Sequence, residues 1–321
     1  MVREGLLSRA GRVRRWGCMM VVGMALVVSG GAFASDDAKR DDAKDGEKEA
    51  SSSGLANLYI DFRTNYAYVP GAALSTGLGD ISLFGTLSQI ATLRQLLDRP
   101  AVPGRPQLSA PTSQGLGVDV PLTFDLGEAL SLYGGFTGST SYNGVSGWSE
   151  LAVTGWFLGF QADLYQQNGG AFPTLTLQST LTRSVPSSPL ATTSFNTVVE
   201  AKYALDAEEM RGWLAGIQYT HSEIDSALAR IGDTTAGYVG GFYQWDNNWK
   251  VSARAGLQSF GGAQLLSITP ISSYTQPLIR LDLDRMDDDD NRLFGITAQI
   301  AWAPKPVYQL TVRTPLYAIR N

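Results

Sequence analysis

Residues 247–260 read NNWKVSARAGLQSF. Taken alternately, Trp249, Val251, Ala253, Ala255 and Leu257 fall on one side, and Lys250, Ser252, Arg254, Gly256 and Gln258 on the other. A period of two is that of a strand, because successive side chains of an extended chain point to opposite faces. One face is apolar; the other carries Lys and Arg. A soluble sheet would set the apolar face against a core and the charged face in water. A membrane barrel would set the apolar face against lipid and the charged face in a wet lumen. The rest of the chain decides between them.

The 321 residues suffice for one large domain or two ordinary ones. A mean hydropathy of −0.06 argues against a bundle of transmembrane helices. The one long apolar run lies near the N-terminus. There Arg12, Arg14 and Arg15 precede CMMVVGMALVV (18–28), and Ala32-Phe33-Ala34 fits a small-x-small cleavage site. Residues 1–34 therefore read as a secretory signal, with Ser35 as the expected new N-terminus. The rival is a retained anchor helix, for which the run is short. Cys18, the only cysteine, precedes the apolar run instead of following it, which does not fit a lipid-modified cysteine. Cleavage would lower Lys+Arg from 25 to 20 and Asp+Glu from 30 to 29, a net charge of −9. An acidic exported chain is a poor nucleic-acid binder. Without a thiol it has no disulfide, no Cys-ligated metal and no Cys nucleophile.

Residues 35–54, SDDAKRDDAKDGEKEASSSG, contain no aromatic or β-branched side chain. They cannot bury enough apolar surface to offset ordering entropy and read as a disordered acidic linker. From residue 55 onward the texture is alternation. Leu58, Ile60, Phe62 and Thr64 oppose Tyr59, Asp61, Arg63 and Asn65; Val118, Val120, Leu122, Phe124 and Leu126 oppose Asp119, Pro121, Thr123 and Asp125. Residues 174–182 and 294–302 alternate likewise, the latter with Gln299 on the polar side. Noisier runs occur near 80–86, 129–141, 150–165, 195–205, 212–222, 236–245 and 307–314, giving about twelve candidate strands. Each is longer than the usual globular strand of about 5–6 residues.

Tight turns are expected at 125–130, 166–171, 205–212, 245–249 and 302–307, and longer polar loops at about 139–149, 184–194, 223–234 and 261–291. Short and long connections alternate, as in outer-membrane barrels, whose turns are short on the periplasmic side and long outside. Trp213, Trp245, Trp249, Trp302 and Tyr308 sit beside the short turns and read as one aromatic girdle at the lipid–water boundary; strand-end core aromatics are the alternative. TLSQIATLRQLLDR (86–99) has a helical apolar face and suggests a short helix in or beside the lumen. The strand count has a parity problem. With short turns periplasmic, strand 307–314 leaves the C-terminus on the outer side. Either one strand is miscounted, in 70–115 or 261–291, or the ends close unusually.

These features together favour an all-β, antiparallel up-and-down transmembrane barrel over residues 55–321. On the lipid side Lys250 or Arg254 would each cost about 2–4 kcal/mol near the midplane. Facing a wet interior they can pair with Asp61, Asp119 or Asp125. The expected lumen-lining set is Asp61, Arg63, Asp119, Asp125, Lys250, Arg254, Gln258 and Gln299. GLGDISLFG (77–85), FPTLTLQSTLTRSVP (172–186), AWAPKPVYQLTV (301–312) and RTPLYAIRN (313–321) resemble segments of the outer-membrane barrel transporters of the phenol meta-pathway type. That resemblance implies a channel for small organic, including aromatic, compounds. It carries no residue-specific motif. The chain departs from the usual barrel in ending YAIRN, without a C-terminal aromatic.

Catalytic chemistry finds little footing. The only histidine, His221, precedes Ser222 and has Glu223 nearby, a faint echo of outer-membrane lipid hydrolases. Adjacent strand residues face opposite ways, however, and no oxyanion motif is present. RLDLDRMDDDDNR (280–292) holds six Asp and three Arg and reads as a solvated acidic loop. It lacks the spacing of a dedicated calcium loop. No cofactor or metal is expected. The expected partners are outer-membrane lipid, lipopolysaccharide, a small-molecule solute and the barrel-assembly machinery. Three functions stay open: a passive outer-membrane channel, a non-transporting structural or surface anchor, and a lipid hydrolase.

Overall fold

The computed structural model describes residues 57–70, 112–127, 129–142, 147–167, 169–185, 191–225, 229–265, 268–287, 292–302 and 306–319. The signal (1–34), the linker (35–54), the candidate strand at 80–86 and the helix expected over 86–99 lie outside them.

Twelve long strands form the wall: Asn57–Val69 (β1), Ser113–Asp125 (β2), Leu130–Tyr142 (β3), Ala152–Tyr165 (β4), Thr174–Ser184 (β5), Thr192–Ala204 (β6), Arg211–Ile224 (β7), Thr234–Gln244 (β9), Trp249–Phe260 (β10), Tyr274–Met286 (β13), Arg292–Trp302 (β14) and Pro306–Ile319 (β15). Three short strands, Ala229–Ile231 (β8), Ala263–Leu265 (β11) and Ile268–Ile271 (β12), make a separate sheet in the order β12-β11-β8. The wall is antiparallel throughout and closes when β1 pairs with β15, Leu58 opposite Ile319 and Tyr68 opposite Tyr308. Closure leaves the wall no unpaired edge. Wall strands of 11–14 residues, rising about 3.3 Å per residue and tilted, reach across a hydrocarbon layer of about 30 Å.

The barrel is inverted relative to a soluble protein. Phe136, Ile217 and Val239 point outward and are about two-thirds exposed (66%, 65% and 65%), whereas the inward Gln258 and Gln276 are 1% and 0% exposed. Water is a poor solvent for so apolar an exterior, and hydrocarbon a good one. Strand β10 follows the expected alternation: Ala253, Ala255 and Leu257 are exposed outside, and Arg254 and Gln258 turn in.

Three expectations are corrected. First, residues 274–286 form wall strand β13 where a continuous loop over 261–291 was expected. The acidic stretch hides an alternation: Ile279, Leu281 and Leu283 face out, and Arg280, Asp282 and Asp284 face in. The density of Asp masks a period of two. Second, this strand is the miscount that the sequence reading allowed within 261–291; it reverses β14 and β15, so that β15 ends at the rim where β1 begins. Third, connection lengths are not strictly sorted. One rim carries the connections 126–129, 166–173, 205–210, 245–248 and 287–291; the other carries 70–112, 143–151, 185–191, 225–233, 261–273 and the three-residue 303–305. Trp213, Trp245 and Trp249 therefore lie at the short-turn rim, while Trp302 and Tyr308 lie at the long-loop rim. The aromatics fall into two belts, as interfacial rings do when a barrel meets two water boundaries.

Candidate functional site

Inward side chains from most of the wall enclose a cavity of about 430 Å³ in the half of the barrel nearer the short-turn rim. Its charged lining is Arg63, Lys202, Lys250, Arg254, Arg280, Arg292 and Arg313 against Glu200, Asp282 and Asp284. Tyr133, Leu214, Phe242 and Met286 supply apolar surface, and Thr123, Ser131, Gln161, Gln178 and Ser252 hydroxyls and amides.

Asp282 is the hub. Arg280 shares its strand and, two residues away, its face; its Nη2 donates to Asp282 Oδ1 at 2.6 Å and its Nε to Oδ2 at 2.9 Å. Arg254 donates to Asp282 Oδ2 from β10 at 2.7 Å, Thr297 donates to Oδ1 from β14, and Arg313 stands 4.0 Å away on β15. Arg254 also reaches Glu200 on β6, Nε to Oε2 at 3.2 Å, and Tyr238 on β9 donates its hydroxyl to the same oxygen at 2.7 Å. One connected set of charge-assisted bonds thus spans β6, β9, β10, β13, β14 and β15. Nearer the short-turn rim Arg292 pairs with Asp284 at 2.9 Å. Lys202 and Lys250 stand 5.0 and 5.5 Å from the centroid of one ring, Phe242. Cation–ring attraction helps to hold the two ammonium groups there, and Lys202 also pairs with Glu209 at 2.9 Å.

Of the expected lining residues, Arg63, Lys250 and Arg254 line the cavity and Asp119, Gln258 and Gln299 are buried, with different partners from those foreseen. Arg254 pairs with Glu200 and Asp282, not with Asp61, Asp119 or Asp125. Those three belong to β1 and β2, several strands around the wall from β10. Asp61 lies 3.6 Å from Arg63 on its own strand. Asp119, 5% exposed, accepts a bond from Asn65 at 2.8 Å, and Asp125 one from Ser131 at 2.6 Å. Lys250 lines the cavity. Gln258 and Gln276 bond at 2.7 Å in the long-loop half, where Gln299 is also buried. Glu200, Tyr238 and Arg313 were not singled out in the sequence, and Arg280, Asp282, Asp284 and Arg292 were read only as part of a solvated acidic loop. The alternation in LIRLDLD (278–284) was the available signal for three of them.

His221 and Ser222 face opposite ways. Ser222 bonds Ser194 inside the barrel at 2.7 Å, and His221 Nδ1 lies 2.6 Å from Asp233 Oδ1 outside, at the long-loop rim. The serine and histidine are on opposite faces of the wall, so this pair cannot act as nucleophile and base. Among the described residues no group of three or more His, Cys, Asp or Glu is placed to hold a metal ion.

No protein-family model matches the chain, and no curated protein matches it. Solved structures do. An outer membrane channel from Pseudomonas putida F1 is 10% identical, with 85% of this chain and 100% of that one covered at a TM-score of 0.51. The translocator domain of the autotransporter NalP from Neisseria meningitidis is 13% identical (84% and 90% covered, TM-score 0.42). A loop-deletion mutant of OmpT, an outer membrane protein of Vibrio cholerae, is 10% identical (81% and 99% covered, TM-score 0.34). The first of these shares the fold: the chain has the architecture of an outer-membrane β-barrel.

Proposed function

We propose that the chain is a passive channel for small organic solutes in the outer membrane of a Gram-negative bacterium. It would be exported through the cleaved 1–34 signal, folded by the barrel-assembly machinery and surrounded by outer-membrane lipid and lipopolysaccharide. The observation that carries the reading is a closed barrel with an apolar exterior enclosing a charged cavity of about 430 Å³. A structural anchor has no need of such a cavity, because charged groups could be replaced by packed apolar ones at no loss of stability. The channel from Pseudomonas putida F1 with the same fold supports the reading, as does the resemblance to the meta-pathway type transporters.

One observation favours a silent barrel instead. In the long-loop half the inward Thr192, Ser194, Thr220, Ser222, Gln258 and Gln276 are all buried, and none of these described residues lines the cavity. Planar-bilayer recording of the purified barrel separates the two. Discrete current steps are expected. A preparation that is folded by heat-modifiable gel mobility yet never conducts would replace the channel with an anchor.

A further inference from the structure

The wall register sets like charges directly against each other at the cavity. Arg254 is the cross-strand partner of Arg280 on β10 and β13, and Arg63 is the partner of Arg313 on β1 and β15. Directly opposed like charges destabilise a sheet, and their neighbours have to offset them. Asp282 and Glu200 do so in part for the first pair, and Asp61 for the second. A third convergence is Lys202 and Lys250 on the one Phe242 ring, with Glu209 bonded to Lys202 from outside the lining. Seven basic residues against three acidic ones line the cavity, an excess of four, in a chain whose formal net charge is −5. Counting Asp61 with the lining still leaves an excess of three. Asp119 on β2 stands directly opposite Arg63 and Glu209 pairs with Lys202, so with these two acids also counted the excess is one; Asp163 is bonded by Thr176. Low-dielectric walls focus such an excess into the enclosed space.

We infer that this cavity binds small organic carboxylates. The three convergent basic pairs supply the counter-charge, and Phe242, Leu214 and Tyr133 receive the apolar body. The volume lies in the range of pockets for small molecules, about 300–1,000 Å³. Guanidinium forks match the planar geometry of a carboxylate, and rings of Arg and Lys select anions in pores. A bound carboxylate would lower the repulsion within these pairs further. The inference deepens the channel reading and rests on it for the solute's route, but the binding site stands on the cavity alone.

The test uses the full folded chain in detergent, with benzoate as probe and benzamide as its uncharged counterpart, followed by calorimetry. Saturable benzoate binding is expected, about tenfold or more tighter than benzamide, and weaker at high salt as screening grows. Lys202→Glu with Lys250→Glu should abolish it while heat-modifiable mobility persists. Where that pair fails to fold, Lys250→Gln alone should weaken binding. Equal affinity for benzoate and benzamide overturns the inference. So does displacement of benzoate by equal concentrations of inorganic phosphate, which would show a site reading charge without the organic body. Reversal potentials in a KCl gradient keep the two readings apart. A barrel that binds benzoate but never conducts removes the channel and leaves this site. One that conducts with cation preference and ignores benzoate removes the site and leaves the channel.

Discussion

Asp233 lies between β8 and β9 at the long-loop rim, where Tyr219 donates its hydroxyl to Oδ2 at 2.8 Å and His221 Nδ1 meets Oδ1 at 2.6 Å. Partial burial pushes its carboxyl pKa up. The hydrogen bonds from His221 and Tyr219, with the nearby charges of His221 and Arg230, outweigh burial and hold it below the ordinary value. The ionised form is thus favoured by folding. Its contribution is fully present above the ordinary carboxylate pKa and is lost as pH falls through the lowered folded value. Because His221 and Asp233 are each about half exposed, the contribution is small. His221→Ala should move the Asp233 titration midpoint upward, toward the ordinary carboxylate range, in NMR of the carboxyl carbon. An unmoved midpoint would show that the contact is not made in solution. At this scale the sequence displayed His221 and its acidic neighbours. It could not display which carboxylate the ring meets, because Asp233 lies on the far side of a connection and Glu223 is the nearer in sequence.

Strands in this wall accommodate inward aromatics by setting glycine beside them. Tyr238 is the cross-strand partner of Gly216 on one side and Gly256 on the other, Phe242 of Gly212, and Tyr133 of Gly159. A Cβ on Gly216 would run into the Tyr238 ring, which could then no longer keep its bond to Glu200. Gly216→Ala should therefore destabilise the barrel by about 1–3 kcal/mol through overpacking. Gly237→Ala, where a Cβ meets nothing within 4 Å, should be nearly neutral. Denaturant titration followed by tryptophan fluorescence measures both, and equal effects at the two sites would refute the packing account. The strands themselves were legible because a two-sided wall writes its alternation into each one. Eleven of the twelve candidates coincide with wall strands, and the exception, 80–86, lies outside the described residues. Strand β13 was missed because Asp282, Asp284 and the acids after them look like a loop until Ile279, Leu281 and Leu283 are counted between them. The glycine–aromatic pairs were illegible, since they depend on register between strands, which no single strand records.

Over the whole molecule, the inverted distribution of polarity replaces the usual core. Val239 sits at the middle of β9 on the outer face and is 65% exposed. Val239→Arg should cost about 2–4 kcal/mol in lipid vesicles. In equilibrium unfolding from bilayers, a cost below about 1 kcal/mol would mean that this band does not meet hydrocarbon. The cavity's charge was only half visible beforehand. Lys250, Arg254 and Arg63 stood out, but the excess emerges only when residues from strands distant in sequence are folded around one space. Closure has a further consequence. The ladder between β1 and β15 joins the two ends of the described chain, so it cannot form until the final strand has been delivered. A polypeptide halted before residue 306 would keep two unmated edges, each with a row of hydrogen-bonding groups that lipid cannot satisfy. Incomplete products of synthesis are thereby denied a stable resting place in the bilayer.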